Sequence, residues 1–107
     1  MADATAVVID RNNDSFRGLF SDTWSVTCTL NSASVSDQAA ATDTVNVPGV
    51  VLGDMVIGMS AGVSEAGLVR RAYVSAADTV TIATTNTTGG AVDLASSTVK
   101  LVIARMV

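Results

Sequence analysis

The residues of this chain that could do acid–base or ligand chemistry are few, and they are spread along its length. It carries ten aspartates and glutamates, six lysines and arginines, one cysteine and no histidine. Without histidine the commonest general base and the commonest metal ligand are missing, and with them every Ser-His or Cys-His nucleophile. Catalysis would fall to carboxylates. Asp54, Asp78 and Asp93 sit beside glycine or in expected turns, and a carboxylate hydrolase would need two of them converging in a cleft with pKa values driven apart. Aspartates that bond nearby turn backbone account for the same positions, and that is the expectation here.

The other candidate motifs are fragments. Asp10, Asn12 and Asp14 alternate like part of a calcium loop, but the glycine and glutamate that complete such a loop are absent from the required offsets. Gly89-Gly90 is followed by no lysine, so it is not a phosphate loop. A lone Cys28 can form neither an intrachain disulfide nor a cysteine zinc site. It alternates with Trp24, Val26 and Leu30 and reads as a small buried hydrophobe. Asn13-Asp14-Ser15 and Asn86-Thr87-Thr88 spell glycosylation acceptors but read as turn residues. No catalytic residue, metal or cofactor is expected, and the chain reads as a non-enzyme.

Net charge is −4, and Arg11, Arg17, Arg70, Arg71, Lys100 and Arg105 are dispersed. Phosphate binding needs a concentrated basic face, so nucleic acid is not expected as a partner. Arg70 and Arg71 would point to opposite faces of a strand. Each is expected to be solvated, and both are retained as candidate partner contacts. No segment approaches the ~20 apolar residues of a membrane span, and no signal peptide is visible, so a soluble chain made in a cytosol is expected.

The elements that must position these groups are strands. From Asp22 the period is two: Trp24, Val26, Cys28 and Leu30 alternate with Thr23, Ser25, Thr27 and Thr29. Ala39–Val47 leads into Pro48-Gly49, which fits a type II turn. Val50–Ser60 reads as a strand interrupted by Gly53-Asp54 and Gly58, where glycine marks a bulge or a close approach of another backbone. Leu68–Ser75 and Thr79–Asn86 form a hairpin across Ala76-Ala77-Asp78, and Ser97–Met106 ends the chain as a strand. Short pieces are expected near Ser34–Ser36 and Ala91–Ala95. The fold class is therefore all-β, an antiparallel β-sandwich of Greek-key or jelly-roll-like winding or a small barrel, spanning residues 21–107. Residues 1–20 read as an N-terminal arm whose Val7, Val8, Ile9, Phe16 and Phe20 could close on their own domain or dock on a neighbour, with Asp14 or Ser15 capping a helical turn. Aromatic residues are 4% of the chain against 49% apolar overall, so a core of Val, Leu, Ile, Ala and Met is expected, and oligomerisation would add to its stability.

The stretches VPGVVLGDMVIG, AYVSAADTVTI and NTTGGAVDLAS within Asp43–Leu94 resemble small virion proteins of tailed bacteriophages that decorate or cement the head. The resemblance covers about half the chain and rests on turn and strand spelling, so it carries over no functional residue. It implies a homo-oligomer, often a trimer, attached to a shell of major capsid protein at the virion surface and made in the bacterial host cytoplasm. Attachment through Ala6–Ile9, Phe16 and Phe20 would predict that a chain lacking residues 2–20 folds but does not bind the shell. A fibre component that recognises a host surface is the structural alternative, and a carboxylate hydrolase the enzymatic one.

Overall fold

The two-residue period of Trp24, Val26, Cys28 and Leu30 sends four side chains to one side. In a computed structural model, which describes residues 2–11 and 19–107, that side is the interior of a β-sandwich. The strands are β1 (Ala2–Asp3), β2 (Thr5–Arg11), β3 (Phe20–Leu30), β4 (Ala40–Asn46), β5 (Met55–Ala61), β6 (Val69–Ala76), β7 (Thr79–Thr85) and β8 (Ser97–Met106). One sheet has the order β1-β4-β7-β6 and the other β2-β3-β8-β5. Every pair is antiparallel except β1 with β4.

The winding follows from which strands pair. β3 lies against β8 and β4 against β7, so the outgoing and returning halves of the chain form one long nested pair. β5 then joins the free side of β8, and β6 the free side of β7. This is the jelly-roll-like sandwich expected, and the two separate sheets settle it against the single barrel. Facing rows such as Trp24 with Ile103, Val26 with Leu101 and Val45 with Val80 fill the interior. Each fully buried aliphatic side chain contributes about 1.5–3 kcal/mol.

The turns follow their residues. Gly49 has φ of 98° and the Val50 amide donates to the Val47 carbonyl at 3.4 Å, as a type II turn after Pro48 requires. Gly58 falls at a register shift against β8, the expected bulge. The strand expected from Val50 begins only at Met55. A second turn intervenes, in which the Asp54 amide donates to the Val51 carbonyl at 3.1 Å and Gly53 takes φ of 101°. The pieces near Ser34–Ser36 and Ala91–Ala95 meet each other in a single bridge, Val35 with Val92.

Much of the segment read as an arm is woven into both sheets. β1 pairs with β4, β2 pairs with β3, and Ala4 alone carries the chain from one sheet to the other. Val7 and Ile9 pack on the core, whereas Val8 points outward and is 66% exposed. Phe20 opens β3 and is half-buried. Phe16 and the cap expected at Asp14 or Ser15 lie outside the described residues.

Candidate functional site

Asp54, the first of the candidate carboxylates, is the centre of an ion-pair cluster at one end of the sandwich. The turn before β5 carries Asp54, and the end of strand β8 carries Arg105. Arg105 Nε donates to Asp54 Oδ1 at 2.8 Å and Nη2 to Oδ2 at 2.9 Å, a bidentate fork. The same Nη2 donates to the Gly49 carbonyl at 3.0 Å, and Asp22 lies 3.8 Å from Nη1. The guanidinium sits 5.3 Å from the Trp24 ring centroid. Arg105 therefore closes this end of the core by lying over the one tryptophan and holding two turns, the Pro48-Gly49 turn by a backbone carbonyl and the turn before β5 by the Asp54 carboxylate.

The Arg105 hydrogen bonds, helped by the Val51 amide at 2.9 Å, hold the Asp54 carboxyl below the usual carboxylate range, although burial acts the other way. A general acid needs the opposite shift. Asp54 is thus a clasp. Because its folded pKa is depressed, the stability it supplies is present above the ordinary carboxylate pKa and is lost as pH falls through the folded value. Asp54→Asn is expected to cost about 2 kcal/mol at neutral pH. The gap from the parent should close below about pH 4, which urea denaturation at neutral and acidic pH measures directly.

Asp78 is also a clasp, but a long-range one. It takes φ of 62° in the β6–β7 turn, its Oδ1 accepts from the Gly49 amide at 2.8 Å, and its own amide donates to the Val50 carbonyl at 2.8 Å. Asp78 bonds the Gly49 amide directly, whereas Asp54 is linked to the Gly49 carbonyl only through Arg105, so the two aspartates are joined by the Gly49 peptide and the Arg105 guanidinium. Asp93 is exposed, apart from both, in the segment before β8. The expected local bonding holds for Asp54 with Val51, while the Asp78 bond joins turns that are 29 residues apart.

At the far end the arginine pair divides as the strand period requires, with one correction. Arg70 is not solvated: its side chain is 3% exposed, Nε donates to Thr84 Oγ1 at 3.2 Å, and Nη1 lies 3.6 Å from Glu65. It points inward because it faces Thr84 across the ladder, on the core side of β6. Arg71 faces outward and lies 4.6 Å from the Tyr73 ring centroid on the same strand face. Only Arg71 of the two is exposed to a partner.

Asn86 is more than the plain turn residue its sequence suggests. It is fully buried. Nδ2 donates to the carbonyls of Val35 at 2.9 Å and Gly90 at 2.8 Å, and Oδ1 accepts from the Thr88 amide and hydroxyl at 2.9 and 2.7 Å. An amide so engaged is not open to glycosylation in the folded chain. The signal available in sequence was an asparagine at an inward position just after the Thr79–Thr85 strand, ahead of two glycines. Cys28 is buried, and burial raises its thiol pKa, which leaves it inert.

Among the described residues no three carboxylate, cysteine or histidine side chains gather to hold a metal ion. What the surface does offer is aliphatic: Val8 on β2, and Leu52, Met55, Ile57, Val69 and Val102 around β5, β6 and β8 are all exposed. These residues, rather than the carboxylates, are the places from which a partner could gain binding energy by excluding water. The chain matches no protein-family model, and neither a curated protein nor a solved structure is similar to it.

Proposed function

We propose that the chain is a bacteriophage capsid decoration or cement protein, an oligomer, as a trimer, that binds the outer surface of a major capsid protein shell and stabilises it by bridging neighbouring capsomers. The observation that carries this reading is the pairing of an all-β scaffold, whose buried charges are tied to one another, with aliphatic side chains left facing water at its edges. Such a domain binds by shape and strand edge rather than by chemistry on a substrate. The spelling VPGVVLGDMVIG supports it as well, since that stretch supplies the exposed Leu52, Met55 and Ile57. Each subunit of a trimer contributes a modest contact, and engaging several capsid subunits at once makes the attachment durable through effective concentration. The site of action would be the virion surface after synthesis in the bacterial host cytoplasm.

The test is co-sedimentation of the purified chain with mature, DNA-filled heads that lack it. Saturable binding at a fixed ratio to capsid subunits is expected. Absence of binding would favour the alternative, a tail or head fibre component whose β-domain recognises a host surface.

A further inference from the structure

The sandwich has two sides, and they differ. On one side the sheets end in β5 and β6; on the other they end in β2 and in the two-residue β1, which pairs with only Asp43 and Thr44 of β4. Sheet ends that expose a row of backbone donors and acceptors are templates for another strand, and proteins blunt them with charge. β5, Met-Val-Ile-Gly-Met-Ser-Ala, carries no charge at all. Its side of the molecule presents Leu52, Met55, Ile57, Val69 and Val102, together with the exposed cations Arg71 and Lys100, while Glu65 beside them is paired with Arg70. A groove of about 290 Å³ runs between β5 and β6 and is lined by Ile57, Gly58 and Arg71 among others. The opposite side presents Val8, 66% exposed, and the exposed carboxylates Asp3 and Asp10.

We infer that a second copy of this chain docks edge to edge, its β1–β2 side seated against the β5–β6 side of the first. The occupant follows from charge and area. A two-fold contact of β5–β6 with itself would bring together two sides that both carry Arg71 and Lys100, and one of β1–β2 with itself two sides that both carry Asp3 and Asp10. The heterologous contact sets the cations against the carboxylates while Val8 meets the aliphatic cluster, and it is the arrangement in which unlike charges face each other. The apolar side chains around β5 expose roughly 400 Å², close to the apolar share of the ~800 Å² that one partner gives to a standard interface. A side-to-side contact of this kind repeats from copy to copy and closes into a ring where the rotation allows. The inference rests on the decoration reading only in expecting an oligomer, and it needs no shell.

The experiment measures molar mass in solution for the full chain and for two edge variants, Ile57→Asp and Val8→Asp. Both positions are exposed, so far-ultraviolet circular dichroism and the melting temperature should match the parent; if Ile57→Asp does not fold, Ile57→Ser takes its place. The parent is expected to self-associate at about 100 μM, and each variant alone to be monomeric, its association weakened at least about tenfold. An equal mixture of the two should form dimers and nothing larger, because each variant keeps one intact edge. A monomeric parent, a variant that still associates alone, or a mixture that stays monomeric would each overturn the edge pairing. Heads that bind a chain which is monomeric in solution would leave the decoration reading standing without this contact, and an oligomer that ignores heads would do the reverse.

Discussion

A chain lacking residues 2–11 is expected to be strongly destabilised rather than to persist as an intact core domain that merely cannot bind. The deletion removes β1 and β2, strips one side of β3 of its ladder, and exposes the surface on which Ala4, Val7 and Ile9 pack. Loss of those half-buried side chains and of the β2–β3 backbone pairing should cost about 3–5 kcal/mol, a large part of the 5–15 kcal/mol by which domains of this size are stable. Urea denaturation of the truncated and intact chains measures the loss, and a truncated chain with an unchanged midpoint would show that these strands are dispensable. The physical reason is the single-residue crossing at Ala4, which ties the segment to both sheets at once. Any effect of Val7, Val8 or Ile9 on partner binding is therefore separable from folding only at Val8, whose side chain faces water.

Replacing Asn86 with alanine is expected to lower stability by about 3 kcal/mol and the melting temperature by about 15 °C. The amide satisfies two carbonyls and two Thr88 donors, and alanine removes all four bonds from a fully buried position, leaving the Val35 carbonyl only the Val92 amide and the Gly90 carbonyl only the Thr88 hydroxyl. Asn86→Asp separates the two halves of the network. It keeps the acceptor for Thr88 but cannot donate to the two carbonyls, so it should be at least as damaging as alanine. Thr87→Ala, at the exposed neighbour, should stay within about 0.5 kcal/mol of the parent. Equal losses at positions 86 and 87 would mean that the turn, not the buried amide, sets the stability. The same side chain bonds the Val35 carbonyl at the bridge between Val35 and Val92, and the Asn86 backbone also bonds Ala39 and Gln38. One side chain thus fixes the connection into β4 and the connection into β8 together.

What the sequence determined by itself was local. A two-residue period places Trp24, Val26, Cys28 and Leu30 inside, because successive strand side chains alternate faces whatever lies beyond them. Pro48-Gly49 makes its turn and Gly58 its bulge because backbone sterics act within a few residues. The division of Arg70 from Arg71 follows from the same alternation. Tertiary structure decided everything that depends on which distant segments meet. Arg70 is buried because Glu65 and Thr84 are there to receive it, and nothing in the local run of residues says so. Asp54 and Asp78 are clasps because folding brings Arg105 and Gly49 to them across 51 and 29 residues. The segment read as an arm joins the sheets because β3 and β4 leave neighbouring positions open that a short apolar strand can fill. Periodicity states how a strand faces, whereas its neighbours are set by the free energy of the whole packed arrangement, to which contacts between residues far apart in sequence contribute most.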